Sequence, residues 1–396
     1  MKNYLLNSLK LCLAAAVTLG AANLVRADDT ELDIEKTGNV LGLTKPILVS
    51  LSGFSGEGLA VLKFDLYVQG FAFTTADQAQ YQITGSDAGN VSGTVVDRLA
   101  RRPVLARAYS GASARREAHY FANDIVKAIN HQAGIGLTKI AFKREVATGH
   151  SEIYVSDFDG ANPQAVTQDN TIVAAPCWVP GRLALYYTSY YAGNPDIFFH
   201  SLTSGQRADV FKSSDLNTAA AVSPDGSRVA MITSRSGSPN VWVANADGSN
   251  PIKLTTSTED SSPCWSPDGQ WICFATKISG RRVLAKVPAG GGKTEVIHTS
   301  GMPNPSEPDW SPDGKWIAFT CQTSYEFDIC VVAVDGSTGA KLLVPGQDPS
   351  WSANSRTLVF TRNGYNYGLS VLDVMTKQVK DIKRTSGNDS QPAWAR

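Results

Sequence analysis

The chain has 396 residues, 42% of them hydrophobic, and its 36 Lys and Arg equal its 36 Asp and Glu. Such a balance gives no electrostatic case for nucleic acid, or for an anionic membrane surface, as partner. The length allows a sizeable core and about two domains.

Residues 1–27 read as an export signal. Lys2 and Lys10 flank a weakly apolar start, Leu11 to Ala22 form a hydrophobic run too short to span a bilayer, and Val25-Arg26-Ala27 offers small residues at the cleavage positions. A buried N-terminal helix is the plainer alternative. Cys12 lies inside the run without a lipobox before it, which argues against a lipid anchor. No later segment is long and apolar enough to cross a membrane, so the mature chain of about 370 residues is expected to be soluble outside the inner membrane. It keeps five cysteines, Cys177, Cys264, Cys273, Cys321 and Cys330, none in a Cys-x-x-Cys arrangement. Cys321 and Cys330 flank one hairpin. They form a disulfide in an oxidising compartment or, like the other three, serve as small buried hydrophobes.

Thr30-Glu31-Leu32-Asp33-Ile34-Glu35-Lys36 alternates acidic and aliphatic residues, with no turn former before Gly38. A segment of this kind adds as an edge strand to a partner's sheet, or else is a disordered leader. Residues 37–136 read as a small α/β domain. Ile47 to Leu51 is a strand, Gly53 to Gly58 a glycine-rich turn, and Leu59 to Val68 a helix that Gly70 ends. Short strands follow near 81–84, 91–96 and 104–109. A second helix runs from about Ser113, a plausible N-cap, to Asn130, with Ala118, Phe121, Ile125, Ala128 and Ile129 on one face. Gly56-Glu57-Gly58 lacks the rest of a nucleotide loop and reads as a turn, and Gly134-Ile135-Gly136 as a helix stop and hinge. Arg98, Arg101, Arg102, Arg107, Arg115 and Arg116 make a basic cluster, either solvated surface or a dock for an acidic partner.

From residue 139 onward the chain repeats. Pro-x-Trp-Ser-Pro-Asp-Gly and its variants anchor six units at positions 178, 222, 265, 310, 351 and 394, with spacings of 44, 43, 45, 41 and 43 residues. In Ser-Pro-Asp-Gly the proline presets φ, the aspartate bonds nearby backbone, and the glycine accepts φ > 0, so the motif is a hairpin turn. The Trp packs one unit on the next, and each unit adds further short strands. A period of this length built from strands is the signature of a mainly β fold, a six-bladed β-propeller over residues 139–396. Pro392-Ala393-Trp394 is expected to join the strands of residues 139–167 in one sheet, closing the ring. Cutting the chain after about residue 388 should therefore destabilise the propeller strongly.

The sequence carries no convergent catalytic constellation. Gly53-Phe54-Ser55-Gly56-Glu57 is no nucleophile elbow, the five histidines lack metal-ligand spacing, and the Asp of each Ser-Pro-Asp-Gly recurs as turn chemistry rather than as one acid. The chain is read as a binding protein with no enzymatic activity, cofactor or metal. The competing class is an exported propeller enzyme, or an enzyme's propeller subunit, acting on peptides or glycans.

The chain resembles the TolB family of the Tol-Pal system throughout. The resemblance rests on the Pro-x-Trp-Ser-Pro-Asp-Gly repeats and on the junction Ala118-His119-Tyr120-Phe121-Ala122-Asn123-Asp124-Ile125, then Leu137-Thr138-Lys139-Ile140-Ala141-Phe142; Phe64-Asp65-Leu66 with Gly70-Phe71 also matches. Departures are Val222 in place of Trp, Val179-Pro180-Gly181-Arg182 and Ser352-Ala353-Asn354-Ser355 in place of Ser-Pro-Asp-Gly, and Gln69 in place of Ser. The resemblance implies a monomeric periplasmic adaptor supporting envelope integrity and outer-membrane constriction at division. One end, the segment 28–36 with Leu32, Asp33, Ile34 and Glu35, would engage inner-membrane TolA. The other, a propeller mouth, would engage the peptidoglycan-associated lipoprotein Pal, and colicins exploit it in some bacteria. Alignment to the family's lipoprotein-binding loops implies Asn217, Ala219, Ser261 and Ser262; Glu307 and Asp348, just ahead of Pro308 and Pro349, come from the repeat itself. Simple turn structure is the plainer reading of each.

Overall fold

The computed structural model describes residues 41, 44–212, 215–323, 325–362, 368–382 and 388–396. The export signal and the segment carrying Leu32, Asp33, Ile34 and Glu35 lie outside the described residues.

The N-terminal α/β part comprises β1 (Ile47–Ser52), a first helix (Gly56–Tyr67), β2 (Phe71–Phe73), β3 (Tyr81–Ser86), β4 (Ser92–Asp97), β5 (Arg102–Ala108) and a second helix (Ala114–Asn130). The sheet order is β2-β1-β3-β4-β5, parallel around β1 and antiparallel beyond β3. Val49, Leu62, Leu66, Ile83, Val95, Phe121 and Ile125 form its core. Ser113 caps the second helix as its spacing predicts, its side chain accepting from Arg116 N–H. Two local expectations change. The first helix begins at Gly56 rather than Leu59, because Ser55 supplies the extended cap conformation, and a Cβ on Gly58 would come within 2.4 Å of Asp87. The second helix stops at His131, which adopts the left-handed conformation (φ 57°). Gly134 and Gly136 instead let the chain pass against Asn123, whose Oδ1 accepts from Gly136 N–H at 2.9 Å.

The rest is a six-bladed propeller of four-stranded antiparallel sheets. Blade 1 takes its innermost strand, Asn388–Trp394, from the end of the chain and pairs it with Lys139–Ala147. Arg144 locks that seam with a bidentate pair to buried Asp389 at 2.7 and 2.9 Å. Blades 2 to 6 begin with Val173–Trp178, Asn217–Val222, Ser261–Trp265, Ser306–Trp310 and Gln347–Trp351. In blade 3, Ala220 and Val222 of this strand pack toward blade 2 and Ala221 toward blade 4, and where an innermost strand ends in Trp that side chain both packs and bonds. Trp265 Nε1 donates to Ala221 O at 2.8 Å, Trp351 Nε1 to Asp309 O at 3.1 Å and Trp178 Nε1 to Ala393 O at 3.0 Å, each reaching the blade before it.

Turn chemistry follows the repeat. Ser223, Ser266 and Ser311 hydroxyls donate to Asp225, Asp268 and Asp313, and Gly226, Gly269 and Gly314 take φ between 68° and 76°. The Ser223 hydroxyl, then the donors of Ser227, hold the Asp225 carboxyl down to about 2. In blade 6, Asn354 and left-handed Ser355 (φ 55°) do the same work. Among the described residues the five cysteines from 177 onward form no disulfide with one another, including Cys321 and Cys330, which sit in the core between blades.

The α/β part docks on the face that carries these turns. Arg115 reaches Asp159 of blade 1 at 2.6 and 2.5 Å, Gln378 Nε2 donates to Phe71 O at 3.0 Å, and Gly70 (φ 90°) lies over the Arg356–Asp373 pair, with no room for a side chain. The opposite mouth of the propeller, where each innermost strand begins, is away from this dock.

Candidate functional site

Every innermost strand is bulged at the same place. Three positions before the anchor, the register with the second strand slips. The residue there is left-handed and is never glycine: Ala175 (φ 51°), Ala219 (56°), Ser262 (51°), Glu307 (51°), Asp348 (54°) and Gln391 (50°). Five of the six precede a proline, which restricts the preceding residue further. Non-glycine residues in this region cost roughly 1–3 kcal/mol each. Bulges of this kind re-aim a side chain, and here they aim all six at one place. All six line the central channel, a cavity of 770 Å³, and each is half-buried.

The ring is hydrogen-bonded from blade to blade around part of its circumference. Glu307 Oε2 accepts from Asp348 N–H at 3.2 Å, Asp348 Oδ2 from Gln391 N–H at 3.2 Å, and Gln391 Oε1 from Ala175 N–H at 2.9 Å. A threonine on the second strand reinforces the first two steps: Thr320 donates to Glu307 at 2.6 Å and Thr361 to Asp348 at 2.9 Å. Where the bulge carries alanine the side chain accepts nothing, and Thr188 takes the Ala219 N–H instead, at 3.3 Å. The ring thus has a polar arc, Ser262 to Gln391, and an apolar arc at Ala175 and Ala219. Burial, and next the Glu307 carboxylate beside it, push the Asp348 carboxyl up to about 7. At the turn end of the channel Arg396 bonds Asp309 and donates to Trp310 O and Trp351 O at 3.2 and 3.1 Å. Among the described residues no group of three His, Cys, Asp or Glu side chains is placed to hold a metal ion.

Of the six residues expected to contact the lipoprotein, Ala219, Ser261, Ser262, Glu307 and Asp348 line the channel. Asn217 does not. It is fully buried, and its side-chain amide donates to Asp196 Oδ1 and Asp215 O at 3.3 and 3.1 Å, bracing the entry to its strand. Sequence reasoning missed Ala175 and Gln391. Their signal was present, since each stands immediately before the proline of a Pro-x-Trp anchor, as Glu307 and Asp348 do.

Residues 126–396 match the family described as PD40, TolB beta propeller domain. The chain belongs to the TolB propeller family. It is 29% identical over 268 residues to the Tol-Pal system protein TolB of Anaeromyxobacter dehalogenans strain 2CP-C, covering 56% of this chain and 60% of that protein. With the protein of the same description from strain 2CP-1 it is 33% identical over 162 residues, 39% of this chain and 36% of that one. The chain thus spans about 60% or less of the length of these TolB relatives. The crystal structure of TolB from Acinetobacter baumannii superposes with a TM-score of 0.81 at 20% identity, covering 90% of this chain and 98% of that one. That likeness extends the shared fold over the α/β part as well as the TolB propeller. No described helix is long and apolar enough to cross a membrane.

Proposed function

We propose that this chain is a periplasmic, non-enzymatic adaptor of the Tol-Pal system, with its channel mouth as the docking site for the outer-membrane lipoprotein Pal. The observation that carries the reading is the ring of six strained, non-glycine bulges, which present Ser262, Glu307, Asp348 and Gln391 at the mouth opposite the α/β part. Such strain gathers at binding sites, because a rigid scaffold holds the side chains ready before the partner arrives. An insertion into this mouth would place apolar groups on the Ala175 and Ala219 arc and hydrogen-bonding groups on the opposite one.

The segment 28–36, ahead of an α/β domain spanning 37–136, would supply the second contact. In sequence Leu32, Asp33, Ile34 and Glu35 alternate aliphatic and acidic residues, a pattern that would suit addition to a sheet of inner-membrane TolA. The two contacts together would couple the inner membrane to the peptidoglycan layer during constriction, and colicins that reach the mouth would compete with Pal.

Pull-down of the mature protein with Pal from the same cell tests this reading. Retention is expected, and it should drop on Glu307→Ala and on Ser262→Arg while both variants melt as folded proteins. Deleting residues 28–36 should abolish TolA binding and leave Pal binding in place. If Pal is not retained, and the deletion leaves TolA binding unchanged, the Tol-Pal assignment is wrong.

A further inference from the structure

The α/β sheet ends in an open strand. β5 is last in the order β2-β1-β3-β4-β5, and no strand among the described residues pairs with its outer side. The bond from Tyr109 N–H to Val91 O, 2.9 Å, sets the phase of the β4–β5 ladder. In an antiparallel ladder this alternates every residue, so Arg107 and Leu105 turn their peptide groups toward β4, while Ala106 and Ala108 turn theirs outward. Both alanines are exposed. Proteins usually blunt such edges by keeping them short or by placing charge or proline on them. The outermost strands of the six blades run two to five residues, whereas β5 runs seven. Pro103 blunts only the far end, beyond the bulge at Val95/Val96.

The edge is also basic. Arg102 and Arg107 lie on β5, Arg101 in the turn before it and Arg116 on the second helix, all exposed. The nearby carboxylates are engaged: Asp97 accepts from Leu99 and Ala100 N–H, and Asp124 from Tyr109 OH. Arg107 rests 3.4 Å from Asp124 and places Nη1 3.2 Å from Ala106 O. A strand pairing there would take over that carbonyl and release the guanidinium.

From this geometry and charge we propose that the outer edge of β5 receives an extended, acidic segment of a partner protein as a sixth strand. Its main chain pairs with Ala106 and Ala108, and its carboxylates sit beside Arg102 and Arg107. The surface is separate from the channel mouth, and the inference does not depend on the Tol-Pal reading.

Hydrogen exchange on the full chain tests it, with a capped peptide of alternating Glu and Val, about ten residues long, as the probe and its Lys-Val counterpart as control. In the free protein the Ala106 and Ala108 amides should exchange fast; the Glu-Val peptide should slow them, and the Lys-Val peptide should bind roughly tenfold more weakly or worse. Ala106→Pro, which removes an outward amide and no ladder bond, should abolish protection, and R102E/R107E should reverse the charge preference. The double variant keeps the test decisive if the proline variant does not fold. Slow exchange in the free protein would mean that another segment of this chain already covers the edge, and would overturn the proposal. So would absence of protection at millimolar peptide, or equal binding of the two peptides.

Discussion

Glu307 and Asp348 sit at the same position of neighbouring blades, and the backbone amide of the second donates to the carboxylate of the first at 3.2 Å. Two acids are thereby held side by side at a channel mouth. Burial and this neighbour raise the Asp348 carboxyl from 3.8 to about 7. A carboxyl whose folded pKa exceeds its unfolded one destabilises the fold when ionised, so stability should rise as pH falls from about 7 toward 4. Glu307→Gln removes the charge and should move the Asp348 titration downward. Carboxyl NMR titration of wild type and variant checks it; an unmoved midpoint would leave burial as the whole cause.

His119 and Asp65 form a second buried pair, Nδ1 to Oδ2 at 2.7 Å, and His119 Nε2 and Asp65 Oδ1 have no hydrogen-bond partner among the described residues. Burial drives the Asp65 carboxyl up to about 6, partly offset by His119. For His119, burial acts to lower the pKa, and the Asp65 carboxylate together with Asp159 outweighs it, leaving a net rise. Both shifts mean that the folded state binds more protons. The histidine's share of stability is present below 6.5 and lost as pH rises through its folded pKa, and the aspartate's share falls between about 4 and 6. His119→Ala should cost about 3–5 kcal/mol by stranding a buried acid, and His119→Ala with Asp65→Leu should cost less than the single change. Urea denaturation at pH 5 and pH 8 separates these outcomes.

Strain in the ring can be measured directly. Ala219→Gly removes a Cβ from a left-handed residue (φ 56°), which relieves roughly 1–2 kcal/mol and costs roughly 0.5–1 kcal/mol of chain entropy. The melting temperature should rise slightly. A fall would show that the alanine methyl packs in the channel wall.

Removing residues 389–396 deletes most of the innermost strand of blade 1. It takes away the Arg144–Asp389 pair and the Trp394 Nε1 bond to Thr138 Oγ1, 2.8 Å. It also exposes the inner edge of Lys139–Ala147. The truncated chain should lose its cooperative melt. If it melts like the full chain, the ring does not depend on that seam.

Much of this architecture is legible in the sequence, because the repeat writes the same local instructions six times. Ser-Pro-Asp-Gly fixes its turns through bonds internal to the motif, such as Ser311 to Asp313, so reading them needs no knowledge of the rest of the fold. Ring closure is legible too, since Trp394 lacks a blade of its own. The bulge is not. A left-handed Glu307 or Asp348 before proline contradicts local preference, and its side chain is held by a threonine of the second strand and by an amide of the next blade, neither of which is adjacent in sequence. Asn217, taken from alignment to the family's binding loops, lies away from the channel because Asp196 and the Asp215 carbonyl satisfy its amide in the interior. The helix start at Gly56 escaped for want of Asp87, thirty-one residues downstream, whose carboxylate accepts from Ser55 N–H.

The seam in blade 1 also sets the order in which the molecule can be made. Lys139–Ala147 is synthesised some 240 residues before its partner Asn388–Trp394, so no partial chain can complete the circle. Contacts this distant along the chain carry a large loop-closure cost and are made late. Until the last strand arrives, the first blade offers an unpaired edge to any neighbouring chain, which is the condition under which folding intermediates aggregate. The final few residues are therefore a clock as well as a clasp: they fix the moment at which the propeller stops being a sticky ribbon and becomes a ring.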